Sequence, residues 1–161
     1  MSSESPASWD ANVVSQVIET HKDSLGGLLP VLHGIQDAIG YIPSDAVPLI
    51  AKGLNLSRAE VHGVITYYPH FRQHKPGSHV VQVCRAEACQ SVGSDALEAH
   101  VKKAVRCGFH ETSADGEVTL EPVFCLGHCS VGPNITINDE VHAYVTPDRF
   151  DTLMAAARSG K

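Results

Sequence analysis

Two cysteine pairs constrain this chain more than any other feature. Cys84 and Cys89 stand in "VCRAEACQ" with four residues between them; Cys125 and Cys129 stand in "FCLGHCSVGP" with three. Each pair follows a run with strand character. "HVVQVC" ends on Cys84, and "ADGEVTLEPVFC", opened by an Asp115-Gly116 turn, reaches Cys125. If those strands are neighbours in one sheet, both loops emerge at one rim and four thiols converge there. The second loop must then bend sharply, and Gly127 between its cysteines lets it turn without a Cβ clash.

The rest of the chain supplies the frame. Residues 1–8 read as disordered, 9–76 as a helical extension and 77–161 as a small α/β domain, an α+β class overall. Trp9, Val13, Val14, Val17 and Ile18 form the first helical stripe, broken by "DSLGG". Leu28, Leu32, Ile35 and Ile39 form the second, ending near Gly40. Ser44 is placed to cap a third helix with Pro48 in its early part. Ser57 and Glu60 form a capping box ahead of Val61, Val64, Ile65 and Tyr68, and Pro69 stops that helix. Beyond "HFRQHKPGS" the order is β-α-β-β-β-α, with room for one more strand before Asp115. Ser94 is the expected cap and Gly108 the stop of its first helix. Two short strands flank Asn138-Asp139, and Thr146 with Pro147 opens the last helix. A small sheet with helices packed on it, as in thioredoxin-like domains, suits that order.

Composition closes several routes. Apolar residues make up 43% of the chain, enough for a core, while 18 acidic against 12 basic residues leave a net charge of −6. A nucleic-acid binder needs a basic face. "LIAKGLNLSRAEVHGVIT" has the outline of a helix-turn-helix, but its second helix offers Arg58 and little else to phosphates or bases. No stretch approaches the roughly 18 apolar residues of a membrane span. The first ten residues lack the apolar run of a signal peptide, and Glu4 and Asp10 are wrong for a mitochondrial presequence. The expectation is a soluble, cytoplasmic protein without membrane insertion. In that compartment five cysteines point to metal or catalysis rather than to disulfides.

Spacing narrows the metal. Four-cysteine zinc sites separate paired ligands by about two to four residues, so these gaps sit at the wide end. Iron–sulfur clusters take four thiolates at wider and more varied spacing. A redox C-x-x-C is absent, and Cys125-x-x-His128 is half of a Rieske signature without the other half. The reading is a [2Fe-2S] cluster, with structural zinc and incidental cysteines as the alternatives. Cys107, at a helix end, reads as a small core residue. Arg85 and His128 are candidate tuners, because cations and N–H dipoles beside a cluster favour its reduced state; the plain alternative is that both face solvent. His70 and His74 have i, i+4 spacing but follow Pro69 in an apparent linker, and His33 and His62 read as ordinary helical residues.

With "VCRAEACQSVG" and "FCLGHCSVGPNITIN" in place, the chain resembles the thioredoxin-like [2Fe-2S] ferredoxin family, which includes the 24 kDa subunit of respiratory complex I. "GIQDAIGYIP" and "LNLSRAEVHGVITYYPHFR" resemble that subunit's helical extension, so the likeness runs from about residue 13 to about residue 155. It implies one [2Fe-2S] cluster on Cys84, Cys89, Cys125 and Cys129. It also implies an electron-transfer role without independent catalysis, and docking on a flavoprotein subunit that carries FMN and binds NAD(H). The chain itself has no G-x-G-x-x-G after a strand; Gly26-Gly27 only precedes a helix. "HFR" after "TYYP", together with "CRAEACQ", most resembles the gamma subunit of molybdenum- or tungsten-dependent NAD-linked formate dehydrogenases, whose catalytic subunit would then be a further partner. NAD-linked hydrogenase and complex I are the other homes of the family, and a zinc-stapled interaction domain is the reading from another class.

Overall fold

Secondary structure follows the sequence pattern closely in the computed structural model, which describes residues 9–160. The stretch 1–8, expected to be disordered, lies outside the described residues. The chain divides into two compact units, 1–75 and 76–161.

The first unit is helical. Helix α1 (Ala11–His21) begins two residues later than the apolar stripe, because the Asp10 carboxylate accepts the Asn12 N–H at 2.8 Å and sets the cap there. Helix α2 (Leu28–Ile39) ends at Gly40, whose φ of +91° reverses the chain. Ser44 is not a side-chain cap: Ser44–Ala46 form a 3-10 turn, and α3 (Val47–Gly53) starts after it, with Pro48 in the first turn where its missing N–H costs nothing. Helix α4 (Arg58–Tyr67) carries the full capping box. The Ser57 hydroxyl accepts the Glu60 N–H at 3.2 Å, and the Glu60 carboxylate accepts the Ser57 N–H at 2.7 Å. That carboxylate is held below its ordinary range by the Ser57 hydrogen bonds.

Val14, Ile18, Val31, Leu32, Ile35, Ile50, Val61 and Ile65 form the buried core of this unit. Each such side chain contributes about 1.5–3 kcal/mol on burial. The helices come close enough that a Cβ at Gly53 would stand 2.5 Å from Ile18 Cγ2. The segment after α4 is no loose linker. The buried Gln36 side chain donates to the His70 carbonyl at 2.9 Å and accepts the Arg72 N–H at 2.7 Å. His70 and His74 fall outside α4, and the His70 ring lies 4.9 Å from that of His33.

The second unit is a five-stranded sheet in the order β2-β3-β1-β4-β5. Its strands are β1 (His79–Cys84), β2 (Glu111–Thr112), β3 (Val118–Val123), β4 (Ile135–Ile137) and β5 (Glu140–His142). The extra strand ahead of Asp115 is β2. Strands β1 and β3 run parallel; every other neighbour is antiparallel. Asn138 and Asp139 join β4 to β5 with φ of +51° and +67°, as a tight hairpin requires.

Helix α5 (Glu87–Gln90) follows β1 directly. Helix α6 (Ser94–Val105) precedes β2, and α7 (Pro147–Arg158) closes the chain, with the Thr146 hydroxyl accepting the Arg149 N–H at 3.3 Å. Val81 and Val83 of β1, Leu97, Val101 and Val105 of α6, Leu120 of β3, Ile135 of β4 and Phe150 of α7 share one buried core. Their spacing explains it: every second residue on the strands and every third or fourth on the helices is apolar. Helix α6 stops at Val105, short of the expected Gly108, because Arg106 already takes the left-handed conformation at φ +58°.

Candidate metal centre

Parallel pairing of β1 with β3 decides where the cysteines go. Cys84 is in register with Val123, so the carboxyl ends of both strands finish at the same rim. The condition set by the sequence, that these strands be neighbours, is met. From that rim two unlike loops emerge.

The first loop is short and locked. Arg85 N–H donates to the Val123 carbonyl at 2.7 Å, keeping the strand ends together, and the chain then turns into α5. Cys84 and Cys89 are each only 1% exposed. Ser94 does not cap α6 as expected; Gly93 at φ +103° occupies that position, and the buried Ser94 hydroxyl donates to the Cys84 carbonyl. The start of α6 is thereby tied to the residue that carries the first thiol. Burial pushes the Cys89 thiol above its ordinary range, helped by a hydrogen bond with Cys84, while donors from Asn134 act in the opposite direction.

The second loop is exposed and bent. Strand β3 ends at Val123, two residues short of the expected Cys125, because Cys125 leaves extended geometry at φ +149°. A non-glycine residue there costs on the order of 1–3 kcal/mol. Gly127 makes the turn at φ +77°, with open space around it, and its N–H donates to Cys125 Sγ at 3.3 Å. That bond, followed by one from Cys129, holds the Cys125 thiol below its ordinary range. Cys129 is raised first by hydrogen bonding with Cys125 and by its charge, and also by the charge of Cys84 from the other loop.

These residues fit a sulfur-bound metal centre. All four cysteines are free thiols. Cys125 Sγ and Cys129 Sγ lie 3.6 Å apart. Two sulfurs on one tetrahedral ion with bonds of about 2.3 Å stand about 3.8 Å apart, so this pair is already spaced to share an ion. The sulfurs stand as two pairs. Among the described residues no three His, Cys, Asp or Glu side chains gather round one point closely enough to hold a single ion.

The other residues singled out from the sequence have separate engagements. Arg85 Nε lies 2.8 Å from Glu98 Oε2 and Nη2 lies 3.7 Å from Asp95 Oδ1, both on α6. His128 Nδ1 donates to the Leu126 carbonyl at 2.9 Å, bracing its own loop. Cys107 lies half-buried against the second unit's core, its Sγ 3.9 Å from the Val118 carbonyl. Burial is the first cause that raises its thiol. Asn134 carried no special signal in the sequence, where it reads as a polar residue opening a strand; in the fold it lies 1% exposed between both loops.

The family model of the thioredoxin-like [2Fe-2S] ferredoxins matches residues 14–158, nearly the whole chain. The chain belongs to that family. Among its relatives, a subunit of the NADH-quinone oxidoreductase of Pseudomonas aeruginosa is 32% identical over 136 residues, covering 84% of this chain and 82% of the relative. The HndA subunit of the NADP-reducing hydrogenase of Solidesulfovibrio fructosivorans is 28% identical over 142 residues, covering 88% of this chain and 83% of that one. An NAD+-reducing [NiFe]-hydrogenase shares the fold, with a TM-score of 0.70 at 22% identity over 83% of this chain; the match spans 23% of that hydrogenase chain. Among the described residues no helix is long and apolar enough to cross a membrane.

Proposed function

We propose that this family member is the electron-transfer subunit of a multi-subunit NAD-linked oxidoreductase, holding one [2Fe-2S] cluster on Cys84, Cys89, Cys125 and Cys129. The observation that carries the reading is the meeting of two free thiol pairs at one rim of a parallel strand pair. When bound, such a cluster supplies storage of single electrons beside a flavin that exchanges hydride with NAD(H). The chain's own residues do the holding. Cys84 and Cys89 present sulfur from a buried, rigid loop, and Cys125 and Cys129 present it from the exposed one. The Gly127 N–H and the Asn134 amide aim hydrogen bonds at those sulfurs, which stabilises negative charge on them. FMN and NAD(H) belong to a partner flavoprotein subunit, because this chain offers no dinucleotide fingerprint.

For the parent enzyme, the formate dehydrogenase branch is supported by "HFR" after "TYYP" and by "CRAEACQ". Complex I and an NAD(P)-linked hydrogenase are supported by the names of the relatives. Purification of the native assembly, assayed for NAD reduction with formate and with hydrogen, separates them. Formate-dependent reduction is the expected result. Hydrogen-dependent reduction would move the chain to the hydrogenases, and activity with neither but with quinone would move it to complex I.

A further inference from the structure

Asn134 touches both cysteine loops at once. Its backbone carbonyl accepts the Cys84 N–H at 3.0 Å. Its side-chain Nδ2 donates to the His128 carbonyl at 2.6 Å, next to Cys129, and lies 3.7 Å from Cys89 Sγ. A primary amide has two N–H donors, and both are used. The amide orientation is set by the His128 carbonyl: turned over, Oδ1 would face that oxygen, an acceptor with nothing to give it. In the orientation observed, Oδ1 is buried without a hydrogen-bond partner. Leaving a buried acceptor unpartnered costs about 1–3 kcal/mol. An apolar side chain of similar size would avoid that cost, so the donor half of the amide is the half the site uses.

The geometry points to Asn134 as the positioning residue of the metal centre: it clamps the exposed loop to the buried one and directs an N–H at the sulfur of Cys89. The inference rests on the cluster reading above and deepens it. Hydrogen bonds to a cluster sulfur favour the reduced state, because the extra negative charge is shared with the donor. The role therefore has two separable parts. The clamp governs how long the cluster is retained; the N–H···S contact governs its potential.

The test uses the full-length chain, reconstituted anaerobically with iron and sulfide, as wild type and as Asn134→Asp, Asn134→Leu and Asn134→Ala. Far-ultraviolet circular dichroism and thermal melting check that each variant folds. The readouts are the reduction potential followed by EPR and the rate of iron loss to a chelator. Loss of the side-chain donor is expected to shift the one-electron equilibrium roughly tenfold toward the oxidised form, about 59 mV downward, in Asn134→Leu and Asn134→Ala, and to speed iron loss. Asn134→Asp matches the shape but replaces the donor with a carboxylate, so its potential is expected to fall at least as far. Faster iron loss with an unchanged potential in all three variants would overturn the N–H···S role. An unchanged potential together with unchanged iron loss would overturn both parts. A wild-type chain that takes up no cluster would overturn the cluster reading and this inference with it.

Discussion

The two cysteine loops reach the same rim by opposite means. Cys84 and Cys89 are buried, and the turn that carries them is locked by the Arg85 N–H, the Ser94 hydroxyl and the start of α6. Cys125 and Cys129 are exposed, in a loop held by the Gly127 turn, the His128–Leu126 bond and the clamp from Asn134. The difference assigns labour. The buried pair is part of the hydrophobic architecture. The exposed pair gives access, on a backbone bent through positive φ at Cys125 and Gly127.

The largest expected effect sets the pairs against each other. Serine at any of the four positions is expected to abolish or alter the cluster's visible and EPR spectra. The metal-free forms should then separate. Cys84→Ser or Cys89→Ser buries a hydroxyl and should cost about 1–3 kcal/mol of folding stability by denaturant titration. Cys125→Ser and Cys129→Ser, at exposed positions, should stay within about 0.5 kcal/mol. Cys107→Ser should leave the spectra as they are. Equal destabilisation in both loops would remove the distinction between them.

Gly127→Val comes next. A β-branched side chain at φ +77° carries a penalty of roughly 1–2 kcal/mol, which falls on the exposed loop alone. Faster iron loss to a chelator is expected, with the melting of the metal-free chain little changed. A substantial drop in that melting temperature would show that the second loop is as much a part of the architecture as the first.

Smaller is a pH effect on the metal-free protein. Cys125 is lowered by the Gly127 N–H and Cys89 is raised by burial. The thiolate is the reactive form, so a lowered thiol reacts at lower pH and a raised one only at higher pH. Alkylation followed by mass spectrometry should find the midpoint for Cys125 below that of an ordinary cysteine and the midpoint for Cys89 above it. The reverse order would contradict the geometry of both loops.

The smallest effect is expected from Arg85→Gln. Its charge is already met by Glu98 and Asp95, and Lys102 would still pair with Glu98 at 2.6 Å. The potential should move less than in Asn134→Leu.

Much of this site was legible beforehand because its signals are local. Cysteine spacing, strand alternation, the Ser57–Glu60 capping box and a glycine inside a tight loop all act within a few residues. The convergence of the loops depended on one tertiary fact, the adjacency of β1 and β3, which local pattern could state only as a condition. What stayed hidden was long-range and polar. Ser94 looks like a helix cap because serine often is one, yet its hydroxyl goes to Cys84, ten residues earlier. Asn134 reads as a polar residue opening a strand, and its sulfur partner is 45 positions away. Arg85 reads as free to act on the cysteine beside it, but it follows the end of β1 and its guanidinium reaches the carboxylates of Glu98 and Asp95 on α6.

Iron and acid-labile sulfide, counted per chain in the anaerobically purified or reconstituted protein, test the central claim most directly. Two irons and two sulfides per chain, lost together in the Cys125→Ser and Cys84→Ser variants but not in Cys107→Ser, are the result predicted. One zinc with no sulfide, or iron that persists when either loop loses its cysteine, would contradict it.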